Sequence, residues 1–244
     1  MARASAALGL ASAAASAAPA VPAPRVSARV SRLLLRNVPL FATLSDSQVE
    51  VLTQVIQRRS FRRGASIIRS GESASSLHVI VSGMVQVVVS DRHGAEVILD
   101  ILKPGDYFGE MGLIDDLPPS ATVTARESCE ILILAKKDFT TCLRENGNLA
   151  VALQRGLVKR LRGANSKIGS LALLDVHGRV ARALLDMSTT VDGQQVVNKL
   201  SKQDLAKLIG ASREMVSRVL GNLQAQGHIE MSRSAIILKK TSPG

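Results

Sequence analysis

The chain has 244 residues and carries 31 basic against 20 acidic side chains, a formal net charge of +11. That imbalance points to a polyanionic partner, and no run of eighteen strongly apolar residues is present that would cross a membrane as a helix. Cys129 and Cys142 stand apart from each other with no CxxC pattern or nearby His, which predicts buried free thiols in a reducing compartment, not a disulfide framework.

Residues 1–30 are rich in Ala, Ser and Pro, contain Arg3, Arg25 and Arg29, and have no acidic residue. The opening MARASAALGLASAAASAAPA is similar to a targeting segment, but serines interrupt its apolar centre, so it reads as a flexible leader outside the fold. Ordered structure is expected from about Ser31, where Leu33 to Leu35, Val38, Leu40 and Phe41 form a short helical lead-in. Ser45 then caps a helix, SDSQVEVLTQVIQ, with Asp46 in its first turn and Val49, Leu52, Val55 and Ile56 on one face.

From Arg58 to Leu134 the period changes. Gly64, Gly71, Gly83, Gly94, Gly105 and Gly109 separate short β-rich runs such as SLHVIVSG, MVQVVVS, EVILDIL and CEILIL. Evenly spaced short strands with turn glycines predict an antiparallel sandwich or barrel. His78 lies in one of these runs and reads as a solvated or satisfied side chain. Asp115-Asp116 is the only tight acidic pair in the region, and no HExxH, GxSxG or Walker pattern occurs, so nothing points to catalysis.

After Lys136 the helical period returns. DFTTCLREN is one short helix, and a longer one is expected over residues 148–174. Leu149, Leu153, Leu157, Leu161, Ile168 and Leu171 form a stripe close to heptad spacing, which suits either an ordinary core helix or the seam of a two-chain coiled coil. Its polar face holds Arg155, Lys159, Arg160, Arg162 and Lys167 and no acid. DVHGRVARALLDM, Asp175 to Met187, is a further helix, followed by an undecided turn region around Asp192-Gly193.

LSKQDLAKLIGASREMVSRVLGNLQAQG, Leu200 to Gly227, reads as two helices joined by a tight turn. Ser201 caps the first, with Asp204 placed for a capping box, and Leu205, Leu208 and Ile209 give it an apolar stripe. Gly210 supplies the left-handed exit and Ser212 caps the second helix. At about 100° per residue, Val216, Val219, Leu220 and Leu223 face inward while Arg213, Glu214, Ser217 and Arg218 face outward. This is a helix-turn-helix pattern, whose second helix enters the DNA major groove; Arg can contact guanine in bidentate fashion and Glu can accept from the cytosine amino group. HIEMSRSAIILKK adds two short strands, a wing with Arg233 at its tip facing phosphate.

A glycine-punctuated β-roll, a long central helix and a winged helix-turn-helix resemble the CRP/FNR family of bacterial transcription regulators. The likeness spans about residues 33–244 and rests on FGEMGLIDDLPPSATVTA (108–125), LALLDVHGRVARALL (171–185) and ASREMVSRVL (211–220). It implies an α+β chain made of a leader (1–30), a cyclic-nucleotide-binding-like roll of double-stranded β-helix or jelly-roll type (31–147), a dimerisation helix (148–174) and a DNA-binding domain (175–244). It also implies a cytoplasmic homodimer, with no membrane association, that works with RNA polymerase and binds a palindromic TGTGA- or TTGAT-like operator. Arg213, Glu214 and Arg218 match positions of cyclic-AMP-dependent members, and Glu214, Ser217 and Arg218 match an E-x-x-S-R pattern of other members. A different reading, a nucleotide-binding module acting on a partner protein, would have no base-reading helix.

For the effector pocket the resemblance implies Gly109, Glu110, Met111, Ser120 and Ala121, together with Ala164 and Asn165 from the central helix. Two departures stand out. Pro119 occupies the place of the family's phosphate-binding arginine, and Ala164-Asn165 replaces its base-contacting Thr-Ser pair. Proline offers neither charge nor an N–H donor. Ordinary cyclic-AMP control is therefore not expected; cyclic di-GMP or no ligand are the alternatives. Residues 1–45 lack the cysteines of iron–sulfur members, and His78 and His93 lack the cysteine partner of haem-containing ones.

Overall fold

Strands rich in β-branched residues pair into two antiparallel sheets in the first half of the chain. The computed structural model describes residues 21–22, 28–198, 200–232 and 235–239. One sheet runs β1 (Val21–Pro22), β2 (Gln57–Phe61), β9 (Cys129–Ala135), β4 (Ser76–Ser82) and β7 (Tyr107–Phe108); the other runs β3 (Ser66–Ile68), β8 (Thr122–Ala125), β5 (Val85–Ser90) and β6 (Glu96–Leu102). Register sets Val79 opposite Leu132 and Ile80 opposite Ile131 in the first sheet, and Val87 opposite Val123 in the second.

Because side chains alternate across a strand, the first sheet feeds two cores. Leu77, Val79, Leu132 and Leu134 face the helices, packing with Leu35, Phe41 and Phe139. Ile80, Ile131 and Cys129 face the second sheet and meet Val85, Phe108 and Val123. The helices of the first core are α1 (Ala28–Arg36), α2 (Asp46–Val55) and α4 (Lys136–Glu145), with a 3-10 turn at Pro39–Phe41. A complete capping box, Ser45 with Gln48, starts α2.

Part of the segment read as leader belongs to this fold. Val21 and Pro22 pair with Ser60 and Arg59 on the outer edge of β2, and α1 begins at Ala28. The rest of that segment lies outside the described residues. Cys129 is buried as expected, whereas Cys142 is only half-buried; both are free, and burial pushes both thiols up.

The long helix α5 spans Gly147–Leu173, capped by Asn146, whose side chain accepts the Leu149 amide at 3.1 Å. Its apolar stripe does two jobs. Leu149 and Leu153 are buried in their own chain's roll core and so turn away from any dimer seam, while Leu157 beside them is only partly buried. Leu161 and Ile168 are 61% and 64% exposed, and Val151, Val158 and Leu171 are exposed as well. The heptad reading merged two faces: at 100° per residue Leu161 and Ile168 lie about 120° and 100° around the helix from Leu149, while Lys167 still bonds the roll at the Ile98 and Leu99 carbonyls.

The C-terminal unit comprises α6 (Val176–Met187), α7 (Lys202–Ile209), α8 (Arg213–Ala225) and a four-stranded sheet. That sheet runs β10 (Thr189–Val191), β11 (Gln194–Asn198), β13 (Ala235–Leu238) and β12 (Ile229–Met231). The undecided stretch around Asp192-Gly193 is thus a two-residue hairpin turn, both residues with positive φ, and it doubles the sheet of the wing. Val180, Leu184, Leu205, Val216, Leu220 and Ile236 form the core. The architecture is α+β: antiparallel sheets first, helices next, and the helix-turn-helix unit last.

Candidate DNA-reading surface and effector cassette

The turn between α7 and α8 is built by Gly210, whose φ of 63° is one that non-glycine residues rarely adopt. Arg179 of α6 braces it from behind, its Nη1 donating to the carbonyls of Ile209 at 3.0 Å and Gly210 at 3.4 Å. Ser212 caps α8 by accepting the Met215 amide at 3.2 Å. With Val216, Leu220 and Leu223 buried, the helix is held by one face, and Arg213, Glu214, Met215 and Arg218 are exposed on the other. Arg213, Glu214 and Arg218 make no ion pair among the described residues. Three unspent charged groups on a rigid helix of 13 residues form a surface able to hydrogen-bond base edges and phosphates.

Ser217 is less free. Lys202, the first residue of α7, donates from Nζ to its Oγ at 2.8 Å. Sequence reasoning missed this lysine because nothing in its spacing ties it to a residue fifteen positions on. Arg233 lies outside the described residues. The expected capping box at α7 forms only in part: Ser201 Oγ accepts the Asp204 amide at 3.0 Å, while the Asp204 carboxylate pairs with Arg126 of the roll at 2.9 Å.

In the cassette, Gly109 has φ 87° and packs so closely that a Cβ there would stand 2.8 Å from the Ser76 carbonyl oxygen. Glu110 follows, 1% exposed, and its carboxylate is ion-paired with Arg160 of α5. The same guanidinium donates to the Tyr107 carbonyl and lies 4.7 Å from the Tyr107 ring centroid, a cation–π contact. Gly156 lets the helix approach this closely, since a Cβ there would collide with the Tyr107 hydroxyl. A buried carboxylate requires a partner; Arg160 is that partner, and it was visible in the sequence only as one of five basic residues on α5.

The remaining predicted pocket residues divide. Ala121 is buried, while Ser120 is exposed. Met111 is 56% exposed at the start of the short helix α3 (Met111–Ile114), so its side chain points out of the cassette. Ala164 and Asn165 are exposed, and Asn165 lies about 140° around α5 from Arg160, away from the cassette of its own chain. Pro119 contributes a carbonyl to the Gly71 amide at 3.0 Å and no cation.

His78 departs from expectation. It is 7% exposed, stacked on Phe108 with ring centroids 5.0 Å apart, and its Nδ1 makes no hydrogen bond. Burial lowers its pKa from 6.5 to about 4; the neighbouring Ser76 backbone, outside bonding geometry, offsets this only in part. The ring is neutral and its Nδ1 is unsatisfied.

A roll with a glycine–carboxylate cassette, joined by one helix to a helix-turn-helix with an unspent polar face, is the architecture of a DNA-binding regulator. Residues 58–146 match the cyclic nucleotide-binding domain and residues 178–242 the Crp-like helix-turn-helix domain. The cAMP-activated global transcriptional regulator Vfr of Pseudomonas aeruginosa is 34% identical over 191 residues, 74% of this chain and 88% of that protein. The cAMP-activated global transcriptional regulator CRP of Salmonella typhimurium is 35% identical over 184 residues, 72% of this chain and 87% of that one. Among solved structures, the c-di-GMP-responsive global regulator CLP from Xanthomonas campestris superposes with a TM-score of 0.70 at 27% identity, covering 81% of this chain and all of that one. The chain belongs to the CRP/FNR family of transcription regulators, a family of DNA-binding regulators and not of enzymes. No helix among the described residues is long and apolar enough to cross a membrane.

Proposed function

We propose that the chain acts as a homodimer that reads a twofold-symmetric TGTGA- or TTGAT-like operator through Arg213, Glu214, Ser217 and Arg218, with RNA polymerase as its downstream partner in the cytoplasm. The observation that carries this reading is the outer face of α8: exposed, charged, free of ion pairs among the described residues and fixed by a buried inner face. The second copy is met by the exposed apolar face of α5, Val151, Val158, Leu161 and Ile168. Leu149 and Leu153 serve the roll.

The effector is a phosphate-containing cyclic nucleotide, and cyclic di-GMP is favoured over cyclic AMP. Pro119 removes the usual cation from the cassette, and Arg160 is the cation that reaches Glu110. A ligand that takes Glu110 must compete with Arg160, which couples occupancy to α5. Fluorescence anisotropy of a palindromic duplex, titrated at fixed salt with no nucleotide, cyclic AMP or cyclic di-GMP, tests both parts. Tight, sequence-specific binding raised by cyclic di-GMP alone is the expected result. Binding that does not distinguish the palindrome from a scrambled duplex would sink the operator reading, and a cyclic-AMP response alone would sink the effector assignment.

A further inference from the structure

One acidic side chain is turned into the roll where strict alternation would send it out. Asp100 lies on β6, two residues after Ile98, and an unbroken strand would put both on one face. The strand is broken: Val88 pairs with Ile98 and Val87 with Asp100, so Leu99 is one residue too many, a bulge. Val85 and Val87 pack on the roll core, and residues directly opposite on paired strands share a face. Leu102, opposite Val85, is accordingly buried in that core, and Asp100, opposite Val87, points the same way. Bulges often re-aim a side chain beside a functional site. This one is held from α5, where Lys167 Nζ donates to the carbonyls of Ile98 at 2.8 Å and Leu99 at 3.2 Å.

The Asp100 carboxylate feels two cations of α5 that are spent elsewhere. Arg160 and Lys167 lie within about 20° of each other around the helix, with the small Ala164 between them. Both act on Asp100 electrostatically, yet among the described residues neither forms an ion pair with it: Arg160 holds Glu110 and Lys167 holds the bulge. Asp100 Oδ1 accepts the Ile101 amide at 2.8 Å, and the side chain is open to solvent although it points inward. Desolvation pushes its pKa up; the Ile101 bond and the two cations offset this only in part. An inward carboxylate with no cation of its own is costly to the fold and suits a partner that brings donors.

We propose that Asp100 selects the base of the effector and that the base is guanine, an inference that rests on the cyclic-nucleotide reading given above. An ionised carboxylate only accepts. Guanine offers it two adjacent donors, N1–H and the N2 amino group, which a carboxylate can take in bidentate fashion. Adenine sets its N1 acceptor beside its amino group, so one carboxylate oxygen would meet a lone pair and stay unsatisfied. Lys167 has three N–H bonds and spends two on carbonyls, which leaves one for the guanine O6. Lys167 thus acts twice, as the positioning residue of the bulge and as a donor beside Asp100.

The test is calorimetric titration of the full chain, without DNA, using cyclic di-GMP, cyclic di-AMP, cyclic GMP and cyclic AMP as probes. For at least one of the two pairs, the guanine nucleotide is expected to bind about tenfold or more tighter than its adenine counterpart. Asp100→Asn keeps the shape of the side chain and presents one acceptor and one donor, which matches the adenine edge, so it should abolish or invert that ratio. Lys167→Met, which frees the bulge, should shrink the ratio several-fold. Equal binding of both members of each pair by the wild type, or a ratio in Asp100→Asn equal to that of the wild type, overturns the base-selecting role and leaves a nucleotide effector standing. A loss in Asp100→Asn by one common factor for guanine and adenine nucleotides does the same, since a merely structural role predicts it. An unchanged ratio in Lys167→Met overturns the part given to the bulge. If none of the four probes binds, the cyclic-nucleotide reading falls and this inference falls with it. Thermal melts check that both variants are folded.

Discussion

On α8, the residues that hold the protein together and those that face solvent separate by helical period alone. In the cassette, the groups that meet come from segments fifty residues apart: Glu110 and Arg160 are joined across the space between roll and helix. The first surface is specified locally, by caps, a turn glycine and a 3.6-residue repeat. The second is specified by packing, and its chemistry depends on how α5 is laid against β7. A change in the DNA-reading helix therefore acts where it is made, whereas a change in the cassette is felt along the helix.

The largest effect should come from breaking the non-local side of this contrast. Arg160→Ala leaves Glu110 buried without a partner. With the arginine about a third exposed and its pairing partly screened, a loss of about 2–3 kcal/mol is expected, measured as a lower urea midpoint. Arg160→Ala with Glu110→Gln should recover part of it. Replacement of His78 tests the same region by pH. Its pKa falls from 6.5 in the unfolded chain to about 4 in the fold. The unfolded chain thus binds the extra proton in between, and stability is full above about pH 6.5 and is lost as pH falls through 4. That linkage amounts to about 3 kcal/mol; denaturation of His78→Leu should lack this slope relative to the wild type.

On the local side, Arg218→Ala should cost about 1–3 kcal/mol of operator affinity and leave non-specific binding almost unchanged. Equal losses on both DNAs in anisotropy would show that Arg218 touches phosphate only. Ser212→Ala removes the α8 cap and should cost about 1 kcal/mol of stability, read from thermal melts. The smallest effect sharpens the link between the helices: Lys202→Gln, which retains a donor toward Ser217, should change operator binding by less than about threefold, mostly in its salt dependence.

The sequence made legible whatever depends on near neighbours. The strands and their turns, the caps at Ser45, Ser201 and Ser212, and the inward set Val216, Leu220 and Leu223 all follow from short-range patterns. It concealed what depends on distance. The β10–β11 hairpin was hidden because TTV and QQVV lack a clean polar–apolar alternation, although Asp192-Gly193 is itself a hairpin turn signal. Asp204 looked like a capping residue because three-residue spacing says so; a roll arginine 78 positions away outbids the Ser201 amide. The leucine stripe of α5 looked continuous because its spacing is only close to seven residues, and the drift carries it from the face packed on the roll to an exposed one.

The contact of Gly156 with Tyr107 gives α5 mechanical character. From there to Leu173 the helix runs about 25 Å, and the roll holds it again at Arg160 and at Lys167, whose Nζ donates to the Ile98 carbonyl at 2.8 Å. The helix is thus clamped along its length to within six residues of its end, after which α6 and the helix-turn-helix unit follow. A single extra methyl at position 156 would run into the Tyr107 hydroxyl, so the ring or the helix would have to shift at the one place where the clamp has no room.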